Sequence, residues 1–561
     1  MKNIVIIGGV AGGATLAARL RRKEENANII IFERGDYISF ANCGLPYYIG
    51  DVINQRANLL LETPEAMKKK FNINVKIKNE VIEIDKNNKQ VKVKNLITNE
   101  EYYQKYDKLI ISTGSSPIKP PIEGIDNEKI FTLWNINDTD KIKSFITNNK
   151  PKKASVIGGG FIGLEMAENL KRQGIDVSII EMQDQVMAPL DIEMANLLHE
   201  EIISKGINLI LKDGVKAFKE EKEQLNILLQ SGKKVESDMV LLSIGVNPNS
   251  LLAKNAGISL NKKGGIIVNE HMETSEKDIY AIGDVIEVAN FISKEKTMIP
   301  LAGPANKQAR ILADYITGDN KKYEGTMGTS IAQIFDLNAA STGLNEKQLK
   351  QAGKEKNKDY LTIIINQKSH AGYYPNANFI TLKMIFDKKG KIFGVQIVGK
   401  EGVDKRIDVM ATAMKLNATI YDLQNLELAY APPFSSAKDP VNMLGYVAEN
   451  VLNNMVDFIE YDELDEMIKE GKDDFIILDV TEDFERAMYK IDPSYHIPLG
   501  QLRQRCFELN KNKTIIPYCK IGVRSYNAAR ILKENGFKNV QVLSGGTDFY
   551  KSMHYKNNYI K

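Results

Sequence analysis

Two stretches of this chain repeat one order: a short apolar run, a turn built from glycines, an alanine- or leucine-rich helix, then a second apolar run closed by glutamate. The first is NIVIIGGVAGGATLAARLRR with NIIIFERG, ending on Glu33. The second, about 150 residues later, is KASVIGGGFIGLEMAENLKRQG with DVSIIEM, ending on Glu181. Strand, turn, helix and strand written twice at this separation predict a duplicated α/β nucleotide-binding unit rather than a short-period array. In the second copy Gly158, Gly160 and Gly163 complete the G-x-G-x-x-G spacing. The first glycine permits the tight turn, the second lets a pyrophosphate approach the backbone, and the third lets helix and strand pack closely. The helix N-terminus then offers free N–H groups to phosphate. Glu181 stands where an acid binds adenosine ribose hydroxyls, which favours NADH over NADPH. The first copy reads Gly8-Gly9-Val10-Ala11-Gly12-Gly13, with Val10 where the middle glycine is expected. Taken alone it is the weaker signal.

The chain has 561 residues, room for about three to five domains, and 26% charged with 43% hydrophobic residues is a globular composition. A net charge of +3 gives no nucleic-acid footprint. Three cysteines, Cys43, Cys506 and Cys519, exclude a disulfide framework and fit a reducing compartment. Five histidines without cysteine pairs leave no zinc spacing, so no metal is expected. The N-terminus enters a strand at once, with no signal peptide, and no apolar run reaches the ~18 residues of a membrane span. The expectation is a soluble, cytoplasmic protein with no membrane or nucleic-acid partner. Beyond residue 325 the pattern changes to antiparallel-looking strands (LTIIIN, FITLKMIF, IFGVQIVG) and long helices, and from about 455 an α/β pattern restarts. NVLNNMVDFIEYDEL is the expected linker.

Two further segments sharpen the first unit. SEKDIYAIGD is a strand ending in Gly283-Asp284, placed to set a carboxylate on a ribityl chain, and Ser112-Thr113-Gly114 ends another buried strand. An ordinary strand-end turn is the plainer account of Asp284 alone, but two nucleotide turns in the same chain favour the functional one. Together these residues resemble the two-dinucleotide-domain flavoprotein disulfide reductases over about residues 1–450. The resemblance implies FAD on the first unit, with Glu33, Arg34, Pro300 and Ala302 among its contacts, and NAD(P)H on the second. It also implies hydride transfer from nicotinamide to flavin and electron delivery to a sulfur centre. The implied architecture is α/β: two Rossmann-like dinucleotide-binding domains (FAD, 1–115 with 250–322; NAD(P)H, 116–249), an α+β dimerisation domain (323–450) and a C-terminal α/β domain (456–561).

Where such reductases carry a cysteine pair, this chain has SFANCGLPY with Cys43 alone. A single thiol forms no internal disulfide, so its partner must be a substrate sulfur or oxygen; a buried inert cysteine is the plainer alternative. A helix start or an oxidised flavin beside it would lower its pKa. The motif resembles the single-cysteine branch of coenzyme A disulfide reductases, NADH oxidases and peroxidases. The oxidases and peroxidases place a histidine in the first glycine turn. Here no histidine precedes His199, which argues against oxygen or peroxide as acceptor. Thr15, Arg19 and Arg22 share one helix face, and two guanidiniums suit coenzyme A phosphates, although a solvated basic face would look the same. The resemblance assigns these positions, with Ser39, Asn42, Lys70 and Lys438, to coenzyme A contact; Asn306 falls where relatives carry a histidine. It further implies a homodimer in which Tyr373 and Tyr430 reach the partner's active site, where a phenol can protonate a leaving thiolate. Met410 and Met414 read as core.

At the C-terminus, TIIPYCKIGVRSYNAARILKENG is a buried strand, a cysteine, a short loop and a helix. Backbone N–H groups in the Cys519–Arg524 loop can converge on the sulfur, Gly522 permits the curl, and Lys520 and Arg524 add charge. The loop resembles that of rhodanese domains and implies a persulfide carried on Cys519. Upstream the match erodes: Thr481 replaces an arginine, and Tyr489-Lys490-Ile491 replaces a glycine-histidine motif. Cys506 has no such setting and reads as a bystander. The expected activity is NAD(P)H-driven, FAD-dependent reduction of coenzyme A disulfide, coenzyme A persulfide or polysulfide at Cys43, with sulfane sulfur shuttled through Cys519. An NADH oxidase, or a coenzyme A disulfide reductase whose tail is idle or docks sulfur-carrier partners, remain the alternatives.

Overall fold

The computed structural model describes residues 2–221 and 224–555. The chain forms two compact units: one runs to Gln183 and resumes over Ile210–Gly328, and the other comprises Asp184–Leu209 and the chain from Thr329 onward. Among the described residues, no helix is long and apolar enough to cross a membrane.

The first unit holds two parallel sheets. In one, Asn74–Lys76, Asn28–Phe32, Asn3–Ile7, Lys108–Ile111 and Ile279–Ala281 lie side by side in that order. The run Ile4–Ile7 is buried throughout, as in a strand covered on both faces, so its residues are apolar without alternation. The order reverses between Asn3–Ile7 and Lys108–Ile111, and such a switch point is where a doubly wound sheet opens a crevice for ligand. In the other sheet, Asp176–Ile180, Lys153–Ile157, Met239–Leu242 and Ile130–Thr132 repeat the parallel pattern. Into each sheet the chain inserts a three-stranded antiparallel layer, Asn79–Asp85 with Gln90–Asn95 and Glu101–Lys105 before Lys108–Ile111, and Val215–Glu221 with Gln224–Leu229 and Lys234–Ser237 before Met239–Leu242.

The second unit is built on an antiparallel sheet of five strands, Ser330–Ile334, Leu337–Gly343, Ile392–Gly399, Phe379–Phe386 and Leu361–Lys368. The helix Val403–Lys415 packs on it through buried Met410 and Met414. The stretch Asp184–Leu209, inside the expected 116–249 segment, belongs to this unit: its helix Ile192–Ser204 buries Met194, Leu198 and Ile202 there. Three carboxylates, Asp191, Glu193 and Glu346, converge in the same unit, and the ammonium of fully buried Lys383 already stands among them, 2.8 Å from Asp191, 2.5 Å from Glu346 and in contact with Glu193. The C-terminal portion is a parallel sheet in which Phe475–Asp479 lies between Tyr495–His496 and Thr514–Tyr518, while Asp457–Ile459 pairs with Gln541–Leu543. The expected linker is a correction. Asn450–Leu452 completes the helix Pro440–Leu452, Asp457–Ile459 is a strand and Tyr461–Glu470 a helix, so only 453–456 connects them. Buried Val456, Ile459 and Leu464 explain why a polar-looking segment folds.

Candidate active site

The two glycine turns are superimposable bond for bond. Gly8 and Gly158 donate to the carbonyls of Phe32 and Ile180 at 2.8 and 2.9 Å. Gly9 and Gly159 donate to the carboxylates of Glu33 and Glu181 at 2.9 and 2.7 Å. The same carboxylates accept the N–H of Gly35 and Gln183 at 2.7 and 2.8 Å. Each acid is thus locked against its turn, with lone pairs left for ribose hydroxyls. A Cβ on Gly8 or Gly158, at φ +100° and +107°, would collide with the carbonyls of Ser112 and Ser243; on Gly13 or Gly163 it would collide with the carbonyl of Gly8 or Gly158. At Gly160 a Cβ would meet nothing within 4 Å. The middle glycine is therefore not required by the protein's own packing, which is why Val10 is accommodated at φ −93° as the residue before the helix Ala11–Lys23. Gly12 faces Ser112 and Ile282.

Ser112, Thr113 and Gly114 leave the strand Lys108–Ile111 beside this turn. Thr113 Oγ1 donates to the Asn249 carbonyl at 2.7 Å, and Asn249 Nδ2 returns a bond to the Thr113 carbonyl at 2.9 Å. Gly114 and Gly283 have φ of +63° and +82°. Asp284 accepts from Ser115 Oγ at 3.2 Å, and burial raises its carboxyl pKa. Pro300 and Ala302 lie exposed at and just before the start of the helix Ala302–Ile316, and Arg34 is exposed, 3.9 Å from Glu80.

Cys43 is exposed in the turn Asn42–Gly44, which runs into the short helix Leu45–Ile49. The approach is pinned: Ser39, at φ +46°, donates to the Gly9 carbonyl at 3.0 Å, and Ala41 donates to Leu59 at 2.8 Å. Close packing of Gly50 on Asn169 brings this helix onto the helix Phe161–Arg172 of the second glycine turn. There Tyr47 OH donates to Glu165 at 3.4 Å. Glu165 was not singled out from sequence, although it lies one turn beyond the G-x-G-x-x-G glycines. Burial pushes its carboxyl up to about 7, and burial with the Glu165 charge pushes the Tyr47 phenol up to about 12. Burial within the protein raises the Cys43 thiol, and Glu165 and Asp284 add negative potential in the same direction.

The residues expected to contact coenzyme A are not equally free. Thr15 donates to Asn306 at 2.7 Å. Arg19 is ion-paired with fully buried Asp314 at 2.7 Å, where Lys321 is also bound at 2.7 Å. Its Nε and Nη2 both face that carboxylate. Arg22 is exposed, 5.2 Å over the Phe71 ring, and exposed Lys70 pairs with Glu62 at 2.7 Å. Asn42 is exposed beside Cys43. Lys438 is exposed in the second unit, as are Tyr373 and Tyr430, whose hydroxyls bond at 2.8 Å. Both tyrosine loops are tied to buried Arg406, which donates to the Ser369 carbonyl at 2.8 Å and to Asp439 at 2.9 Å.

Cys519 follows the strand Thr514–Tyr518 and is buried, with Gly522 donating its N–H to Sγ at 3.2 Å. Gly522, at φ +98°, caps the helix Val523–Glu534. Arg524 interacts with the sulfur and binds both oxygens of Glu485 at 2.5 and 2.7 Å, so the loop's positive charge is largely neutralised. Lys520 is exposed, 3.9 Å from Asp548. Upstream, Arg486 donates to fully buried Asp479 at 2.8 Å, and Thr481 donates to it at 2.6 Å through Oγ1. Tyr518, next to Cys519, also donates to Asp479 at 2.8 Å. Cys506 is buried in the same core.

Residues 2–309 match the pyridine nucleotide-disulphide oxidoreductase family, residues 329–440 its dimerisation domain and residues 460–553 the rhodanese-like domain. Over 453 residues the chain is 38% identical to a coenzyme A disulfide reductase of Staphylococcus haemolyticus, covering 80% of this chain and 100% of that one. It matches the crystal structure of reduced CoADR-RHD from Bacillus anthracis with a TM-score of 0.95 and 49% identity, over 100% of this chain and 99% of the other. For a NAD-dependent persulfide reductase from A. fulgidus the TM-score is 0.91 and the identity 40%, over 98% and 99% of the two chains.

Proposed function

The chain belongs to the pyridine nucleotide-disulphide oxidoreductase family, and from that premise we propose that it reduces coenzyme A disulfide, coenzyme A persulfide or polysulfide at Cys43, with sulfane sulfur carried on Cys519. The observation that carries this reading is one exposed thiol, Cys43, set against the nucleotide-binding crevice with no second cysteine before Cys506. The relatives named for coenzyme A disulfide and persulfide reduction support the substrate class. The donor set fits FAD in the first unit: the Gly8–Gly13 turn that side chains would fill, Glu33, Ser112–Gly114 and Asp284. When bound, FAD takes hydride from the nicotinamide and supplies two electrons to sulfur. Gly158, Gly160, Gly163 and Glu181 would hold the nicotinamide dinucleotide, and an acid at Glu181 prefers NADH because it repels a 2′-phosphate.

In this reading the Cys43 thiolate attacks a sulfur of the bound disulfide, a new S–S bond forms, the old one breaks, and one thiolate leaves and takes a proton. In a homodimer, the Tyr373–Tyr430 pair of one subunit would supply that proton at Cys43 of the other. Each turnover consumes one NAD(P)H and one proton; a disulfide yields two thiols, a persulfide one thiol and one hydrogen sulfide. Three free thiols fit the reducing cytoplasm. The test is anaerobic NADH consumption with coenzyme A disulfide, coenzyme A persulfide and polysulfide in turn. Cys43→Ser should abolish all three, and Cys519→Ser should depress persulfide and polysulfide turnover by about tenfold or more. Turnover retained in Cys43→Ser refutes the assignment. Comparable turnover with oxygen alone makes the protein an oxidase, and an unaffected Cys519→Ser leaves the C-terminal domain a docking module.

A further inference from the structure

The loop carrying Cys519 does not stand on its own domain alone. The carbonyls of Cys519 and Lys520 accept the N–H groups of Thr547 and Asp548 at 2.9 and 3.1 Å, at the start of the helix Gly546–Met553. Gly546, at φ +69°, lies so close that a Cβ would sit 2.6 Å from the Cys519 carbonyl oxygen and 2.7 Å from that of Lys520. Turning both carbonyls toward this helix leaves the inner side of the loop to N–H groups, and the Gly522 N–H reaches Sγ. The helix start is itself held from outside. Asn366, buried on the strand Leu361–Lys368 of the antiparallel sheet, donates Nδ2–H to the Gly545 carbonyl at 2.6 Å. Thr381, its cross-strand partner, donates Oγ1–H to Asn366 Oδ1 at 2.7 Å. With its oxygen engaged by a donor, the amide can present only its NH₂ to Gly545. A second contact follows the same route: Lys520 Nζ lies 5.9 Å from the ring of Phe379, on the neighbouring strand.

Resting on the reading that Cys519 carries sulfane sulfur, we infer that Asn366, oriented by Thr381, is a positioning residue for sulfur transfer at Cys519. The dimerisation sheet, through Gly545, sets the helix start that aims the nucleophile's loop. The transfer it serves is the attack of the Cys519 thiolate on a sulfane sulfur of polysulfide. One S–S bond forms and one breaks, the polysulfide leaves shorter by one sulfur, and cyanide then removes the outer sulfur as thiocyanate and regenerates the thiolate. A carbonyl freed from Asn366 is free to turn, and the N–H aimed at sulfur moves with it.

The experiment uses the full chain with Cys43→Ser and Cys506→Ser, leaving Cys519 as the single thiol. Its alkylation by iodoacetamide is followed against pH, and thiocyanate formation from polysulfide and cyanide is measured beside it. Asn366→Ala and Thr381→Val should move the alkylation midpoint to higher pH and lower the kcat of transfer by about tenfold with KM little changed. Thr381→Ser, which keeps the hydroxyl, should restore both. Because the threonine variants remove or restore one buried hydroxyl, they decide the matter even if Asn366→Ala folds poorly. Wild-type midpoints and rates in Asn366→Ala and Thr381→Val, or a Thr381→Ser variant as impaired as Thr381→Val, would overturn the inference. A wild-type chain that transfers no sulfur defeats the underlying reading instead, and the alkylation profile still reports on Asn366.

Discussion

Replacing Glu165 by glutamine should change both the stability of the nucleotide-binding unit and the reactivity of Cys43, in directions that follow from one carboxyl. Burial holds that carboxyl near 7, against an ordinary 4.5. Below pH 4.5 the folded and unfolded chains both carry its proton, and the group contributes nothing to pH dependence. Between 4.5 and about 7 the unfolded chain ionises first, so stability falls as pH rises; above 7 the full cost remains. At about 1.4 kcal/mol per tenfold the ceiling is about 3 kcal/mol, and partial exposure of the side chain reduces this to about 1–2 kcal/mol. Glutamine keeps the shape and an acceptor for Tyr47 but cannot ionise. Trp134 is the chain's single tryptophan and lies in the same unit, so urea unfolding followed by its fluorescence reads this region directly. The variant's stability should match wild type near pH 4.5 and exceed it increasingly up to about pH 7.5. The Glu165 charge also raises the Cys43 thiol, so iodoacetamide alkylation of Cys43, with Cys506 and Cys519 replaced by serine, should shift to lower pH in the variant. Parallel stability profiles together with an unmoved alkylation midpoint would refute the reasoning.

Gly163→Ala drives a Cβ into the Gly158 carbonyl, so on the proposed reading NADH binding should fall by at least about tenfold while the Gly8–Gly13 turn is untouched; isothermal titration with NADH measures it. Arg486→Ala leaves Asp479 fully buried without its guanidinium, which should cost about 3–5 kcal/mol and expose the C-terminal domain to limited proteolysis. Arg406→Met strands buried Asp439 at a similar cost of about 3–5 kcal/mol and releases both tyrosine loops; adding Asp439→Asn, which leaves no charge buried, should recover much of the loss in thermal unfolding.

What the sequence disclosed and what it withheld divide along a physical line. Glycines at Gly8, Gly13, Gly158 and Gly163 are legible because a side chain there collides with backbone, so only one residue type is allowed at each position. Gly160 is legible through the motif alone: a Cβ there would meet nothing within 4 Å, so the protein's own packing does not demand it, and Val10 stands at the matching position of the first turn. Cys43 and Cys519 stand out through rarity and local setting. Glu165, Asn366 and Arg486 carry no such mark, because their setting comes from partners that only the fold brings near, and glutamate, asparagine and arginine are ordinary residues everywhere else. Arg19 shows a partner that spacing hides: the helix places it on a face with Thr15 and Arg22, yet nothing in that spacing announces Asp314, nearly 300 residues later, which pairs with it. Asp479 is a similar case: this buried carboxylate takes Arg486 from the following helix, a partner no motif marks. A buried charge must be satisfied by whichever side chain the fold brings within reach, and such residues become visible only once the fold names the atom that must be satisfied.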